Sequence, residues 1–198
     1  YTVAQLKTIN DATTGAIVLA TSTSEALSGD ATDLAAALAG TINYTGDVTV
    51  TDNAYTIAEL VAINAGTTGE IILNSAGVAL SGTVADIKSA FTGTVTEHTG
   101  TLEITDAGTT DITATDITSI NTTNTGTITV ANAIDINGSG SEVKAAFDAI
   151  DTNTGNATAN ITGTDYTVAQ LKAINNATTG AIVLAAATAA LSGTVADI

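Results

Sequence analysis

The chain has no cysteine, proline, methionine, tryptophan or arginine, and its only cations are Lys7, Lys88, Lys144 and Lys172. Without cysteine there is no disulfide framework, no thiol nucleophile and no thiolate metal site. The compartment stays open, because long secreted bacterial repeats often do without thiols. Four lysines against 20 acidic residues leave a formal net charge of −16. Such a surface excludes nucleic acid, whose phosphates need a basic face, and it repels anionic lipid. No apolar run approaches the ~18 residues of a membrane span, and no signal peptide is visible. A hydrophobic content of 44% sets the chain apart from a disordered acidic tail.

What the chain does have is repetition. YTVAQLKTINDATTGAIVL opens it at Tyr1, and close copies start at Tyr55 (YTIAELVAINAGTTGEIIL) and Tyr166 (YTVAQLKAINNATTGAIVL), with a degenerate one at Ile112. A second landmark lies between them: LSGDATDLAAAL from Leu27, LSGTVADIKSAF from Leu80, INGSGSEVKAAF from Ile136 and LSGTVADI from Leu191. Interleaved, the two series give about eight turns in four double repeats of roughly 55 residues, the period of a solenoid.

A short helix is expected in every turn. Thr2, Thr56, Thr113 and Thr167 are followed three residues later by Gln5, Glu59, Asp116 and Gln170; Asp30, Thr83, Ser139 and Thr194 by Asp33, Asp86, Glu142 and Asp197. This spacing is the capping box, or its variant with Asp, and it satisfies amides that the first helical turn leaves unpaired. Behind the caps, apolar residues recur at helical spacing, as in Val3, Leu6 and Ile9 or Ile57, Leu60 and Ile63. Asn10, Asn64, Asn121 and Asn175 close the first-series helices, where a left-handed cap suits Asn. A Gly follows, then a two-residue alternation such as Ile17 and Leu19, Val48 and Val50, Ile71 and Leu73, Leu102 and Ile104, Ile128 and Val130, or Ile182 and Leu184. A second short strand is expected near Val78 and Leu80, and near Ile134 and Ile136. Helix and strand alternating at this period imply parallel strands joined by crossovers. Val18, Ile72 and Val183 are apolar at outward strand positions, and cover by the chain's own loops is expected there. The lysines mark a solvated helix flank.

Chemistry is sparse. His98, beside Glu97, has no acid or nucleophile assigned to it by any motif and reads as a solvated loop residue. Neither a GxSxG elbow nor a phosphate loop occurs. For Ca²⁺ the stretch Asp135, Asn137, Ser139, Gly140 fits the start of an EF-hand loop, but Ala146 stands where that loop needs its Glu. Asp52, Asp106, Asp111 and Asp165 form a looser group after alternate strands. Residues of one column two turns apart would sit about 10 Å from each other, too far to share an ion. The Ca²⁺ candidates are Asp106, Asp111, Asp135 and Asn137, with no other cofactor and no catalytic residue. Outward Thr pairs are interrupted at almost every strand, which argues against a flat ice-binding ladder.

In LSGTVADIKSAF and in YTVAQLKAIN…TTGAIVL the chain resembles the Thr/Ala/Gly-rich acidic repeat regions of very large bacterial cell-surface proteins, those of marine cyanobacteria in particular. The resemblance covers residues 1–198 and implies secretion and a role in adhesion, motility or cell covering. The fold expected is a parallel α/β solenoid with leucine-rich-repeat-like stacking. Residues 1–198 read as one array, an interior piece of a longer chain or a subunit of a stacked fibre. The function expected is a non-enzymatic section of an extracellular fibre or adhesin, whose partners are neighbouring repeats, copies of itself end to end, or cell-surface glycans. The alternative is a Ca²⁺- or glycan-binding module; a carbohydrate-active enzyme on the same scaffold is a third class.

Overall fold

The computed structural model describes residues 1–19, 24–40, 44–186 and 190–191. These fall into two compact units, residues 1–81 with 85–100, and residues 82–84 with 101–198. Helices and parallel strands alternate through both, so the chain is an α/β protein.

In the first unit, α1 (Val3–Ala12) leads to β1 (Leu27–Gly29), α2 (Ala31–Leu38), β2 (Val48–Val50), α3 (Ile57–Gly66), β3 (Ile71–Leu73), β4 (Leu80–Gly82) and α4 (Val84–Ala90). The second contains β5 (Leu102–Ile104), β6 (Asp111–Thr113), α5 (Ala114–Thr123), β7 (Ile128–Val130), β8 (Asp135–Gly138), α6 (Gly140–Ala149), β9 (Thr152–Asn153), β10 (Thr158–Ile161), α7 (Val168–Ala177) and β11 (Ile182–Leu184). Seven of the eight expected helices are present; the eighth, from Thr194, lies outside the described residues.

The caps divide by side-chain length. Thr2 with Gln5, Thr56 with Glu59, Ser139 with Glu142 and Thr167 with Gln170 each form a complete capping box. At α2 and α5 the side chains of Asp30 and Thr113 make no cap bond, although the expected partners Asp33 and Asp116 are in place. The four boxes that close carry Gln or Glu at the third helical position, and the two helices without a side-chain cap bond carry Asp there. The helix ends also differ from expectation. Asn10, Asn64, Asn121 and Asn175 stay inside their helices, and the residues that end α1, α3, α5 and α7 (Thr13, Thr67, Asn124 and Thr178) are extended. The left-handed glycines Gly40 and Gly93 instead follow the second-series helices α2 and α4.

α2, α3 and α7 each bridge parallel strands that are hydrogen-bonded neighbours, whereas α5 and α6 each join strands of different ladders. In the first unit β1 pairs with β2 and β2 with β3, matching Leu27 to Val48 and Val48 to Ile71, and an isolated bridge adds Val95 beside Ile71. In the second unit β5, β7 and β9 form one ladder and β6, β8, β10 and β11 another. Strand faces pack on helix faces in the expected alternation. Val48, Val50, Ile71, Leu6, Leu34, Leu60 and Ile63 are completely buried in the first unit, as are Leu102, Ile104, Ile128, Val130, Ile117 and Val143 in the second.

A strand column running unbroken through every repeat is the expectation this arrangement corrects. Helix starts lie 26 to 30 residues apart, but paired strand residues lie only 21 to 26 apart. Strands therefore drift relative to helices, and several ladders form in place of one. Unequal connections cause the drift: β6 runs straight into α5, whereas residues 162–167 separate β10 from α7. Val18 and Val183 are 73% and 49% exposed, so the described residues leave them uncovered; Ile72 is half-buried. Ile17 and Leu19 are buried, with only an isolated bridge at Ile17.

The glycines before the strands answer to close backbone approach. A Cβ on Gly69 would stand 2.2 Å from the Gly46 carbonyl oxygen, on Gly100 2.4 Å from that of Val78, and on Gly180 2.3 Å from that of Asn156. Backbone cannot retreat as a flexible side chain can. Gly69→Ala should therefore lower stability by about 2–3 kcal/mol, whereas Gly77→Ala, whose Cβ would meet nothing closer than 3.6 Å, should unfold at nearly the wild-type urea concentration. Equal midpoints for the two variants would remove the close-approach account.

Candidate functional site

Seven Thr-Gly dipeptides follow a residue whose side chain can hydrogen-bond: Thr13, Tyr44, Thr67, His98, Asn124, Asn153 and Thr178. At four of these positions the structure shows one shared task. Thr67 Oγ1 donates to the Gly46 carbonyl at 2.8 Å and accepts from the Gly69 amide at 3.0 Å. Thr178 does the same with Ala157 at 2.7 Å and Gly180 at 2.9 Å. Tyr44 donates its hydroxyl to the Glu25 carbonyl. Asn124 accepts from the Gly126 amide at 3.2 Å, and Asn153 accepts from the Ala157 amide at 2.9 Å. At Tyr44, Thr67, His98 and Thr178 the side chain is buried and bonds a carbonyl of the preceding repeat, whereas Thr13 is exposed and accepts from the Gly15 amide at 3.0 Å.

His98 belongs to this column, which corrects its reading as a solvated residue. It is completely buried, its ring centroid lies 5.6 Å from that of Phe91, and Nε2 is 2.7 Å from the Val78 carbonyl oxygen. A carbonyl only accepts, so Nε2 carries the proton. The signal available in the sequence was the Thr-Gly that follows His98, not the chemistry of imidazole.

The acidic candidates are also drawn into backbone bonding. Asp106 Oδ2 accepts from the Val84 amide, the first of α4, at 2.7 Å, and Asp52 Oδ1 from the Ala31 amide, the first of α2, at 3.2 Å. Each supplies from the following repeat a cap of the kind that an Asp-type box fails to close at α2. Asp151 similarly accepts from the Ile128 amide at 2.8 Å and Asp47 from that of Glu70 at 2.9 Å. Of the Ca²⁺ candidates, the structure brings together Asp111, Asp135 and Asn137, while Asp106 is engaged at Val84. Asp111 and Asp135 face each other in register on the adjacent strands β6 and β8. The Asn137 amide donates to Asp111 Oδ1 at 3.0 Å and to the Asp135 carbonyl at 2.9 Å. Among the described residues, no group of three or more His, Cys, Asp or Glu side chains is placed to hold a metal ion.

Along the helices, Lys7 pairs with Asp33 of the next helix at 2.5 Å, and the Thr32 hydroxyl donates to Glu59 at 2.6 Å. Lys144 pairs within its own helix with Asp148. The Asp33 carboxylate raises the Lys7 ammonium above its ordinary pKa. Bonds from the hydroxyls of Thr32 and Thr56 hold the Glu59 carboxyl below its ordinary range, and bonds from the Ser139 amide and hydroxyl do the same for Glu142. Tyr55 and Tyr166 donate to the carbonyls of Ser75 and Ala186, both at 2.7 Å. Burial, reinforced by Asp52, pushes the Tyr55 hydroxyl up to about 12.

Fold and contacts define a parallel α/β protein in which polar side chains are spent on joining one repeat to the next. No family model, no curated protein and no solved structure matches the chain.

Thr67→Val keeps the shape of the column but leaves the Gly46 carbonyl and the Gly69 amide without their partner. Chemical denaturation should show a loss of about 1–3 kcal/mol, and Thr67→Ser, which keeps the hydroxyl, should recover most of it. Glu142→Gln retains the box, as Gln5 and Gln170 do, but cannot ionise. Since the folded Glu142 pKa lies below the ordinary value of 4.5, its charged form adds stability above that pH and loses it as pH falls through the folded value. Wild type should therefore melt above Glu142→Gln near neutral pH, and the two curves should converge by about pH 3; a gap that persists in acid would contradict the cap.

Proposed function

We propose that the chain is a section of a parallel α/β solenoid that acts as a non-enzymatic structural element of an extracellular or cell-surface fibre, spanning distance and presenting a stiff acidic face. The observation that carries this reading is the Thr-Gly column, in which the buried side chains of Tyr44, Thr67, His98 and Thr178 each bond a carbonyl of the preceding repeat. The likeness of the four recurring landmark pairs to repeat regions of giant bacterial cell-surface proteins supports placement outside the cell, and the −16 charge supports the acidic face. In such an array each repeat leans on its neighbours, and further repeats or copies end to end extend it without new folding rules. Stretching a single chain from its termini should release it in repeat-sized steps of about 90 Å, the contour of roughly 27 residues. One release of the whole length in a single event would overturn the reading.

The in-register Asp111 and Asp135, with Asn137 beside them, favour a second reading as a Ca²⁺-binding module. Its mark is a rise in melting temperature that appears with Ca²⁺, is absent with Mg²⁺, and is lost in Asp135→Asn. If the melting temperature does not move, this second reading falls.

A further inference from the structure

We propose that His98 makes its joint in the Thr-Gly column a proton gate: the neutral imidazole fastens residues 98–100 to the preceding repeat, and a second proton on the ring releases them. The gate belongs to the column and stands whether or not the chain serves a fibre. Four members of that column accept from the amide two residues onward. Gly15 donates to Thr13 at 3.0 Å, Gly69 to Thr67 at 3.0 Å, Gly126 to Asn124 at 3.2 Å and Gly180 to Thr178 at 2.9 Å. Thr67 and Thr178 also donate backwards to a carbonyl, at 2.8 and 2.7 Å. A hydroxyl plays both parts because it has one proton and two lone pairs. Imidazole plays both in one form alone, neutral, with a proton on one nitrogen and a lone pair on the other. Nε2 lies 2.7 Å from the Val78 carbonyl oxygen and is the donor. The part left for Nδ1 is to accept from the Gly100 amide. The backbone suits it: a Cβ on Gly100 would stand 2.4 Å from that same Val78 oxygen, so amide and carbonyl meet in one close approach.

A second proton takes the lone pair of Nδ1. The imidazolium donates at both nitrogens, so the Gly100 amide loses its acceptor and meets another N–H. The new charge is also poorly placed. The ring is completely buried, 5.6 Å from the Phe91 ring between centroids. Ionisable side chains on the segments packed against it are Asp86 and Lys88 of α4 and Glu97 of its own loop, all three exposed, and residues 74–79 on the Val78 side have none. Asp106, the one buried carboxylate among the described residues, is bonded to the Val84 amide. A buried charge without a partner costs far more than the same charge in water, and an opened loop takes up the proton in water. Acid therefore favours the open form. The joint holds at neutral pH and weakens as pH falls through about 8 to 5, the range in which imidazoles ordinarily charge. Tyr44, Thr67 and Thr178 close their joints with hydroxyls, which gain no proton there.

The chain has one histidine, so its ring nitrogens are resolved in a single NMR spectrum of the full chain. At about pH 7.5 a scalar coupling across the N–H···N bond should link the Gly100 amide to Nδ1. Hydrogen exchange, taken relative to free peptide at each pH, should show protection at Thr99 and Gly100 falling about tenfold or more between about pH 7.5 and about pH 5. Protection at Gly69 and Gly180, whose joints use threonine, should hold. Neither measurement needs a variant. In His98→Thr, which gives this joint the residue its sister joints use, the acid loss at Gly100 should disappear. Absence of the coupling, or protection at Gly100 that stays in step with Gly69 over the whole range, would overturn the gate. An acid loss that persists in His98→Thr would overturn His98 as its cause.

Discussion

At the Thr-Gly step the backbone of one repeat runs against the backbone of the one before, so closely that a single methyl group at Gly69 or Gly180 would overlap a carbonyl oxygen. That approach sets the rest of the structure. It leaves no room for water between the loops, so the carbonyls they bury must find donors inside the protein. Thr67, Thr178, Tyr44 and His98 supply them. The residue type varies while the geometry holds, because the site asks only for a donor of suitable reach.

The same logic redistributes the acidic residues. A chain with 20 carboxylates and four lysines suggests a surface waiting for cations, yet several carboxylates already accept backbone amides. Asp52 and Asp106 sit at helix starts contributed by the preceding repeat, where the amides are unpaired and the helix dipole favours a negative charge. Asp47 and Asp151 accept amides at the starts of strand segments. Charge that looks like a ligand set in one dimension is in part the means of fastening one repeat to another. Asp111 and Asp135 are the exception in kind, since two carboxyl-bearing residues stand side by side on adjacent strands.

Much of this was legible in the residues alone. Capping spacing located seven helices within a residue or so, and two-residue alternation located β2, β3, β5, β7 and β11. Both signals are local: a box closes within three residues, and alternation follows from the pleat. The failures were non-local. Spacing does not tell whether Asp30 or Thr113 caps its own helix, and the cap that α2 does receive comes from Asp52, 21 residues onward. His98 looked like a loop residue because its Val78 partner lies 20 residues back.

The sequence by itself determined where each helix begins and which residues turn inward, since these follow from spacing and polarity. Tertiary structure alone decided which strand pairs with which, because unequal connections let strands and helices advance at different steps. It alone decided that Ile9 stands in water while Ile174, in nearly the same helix, does not. Burial belongs to a residue's neighbours, and no residue's identity carries them.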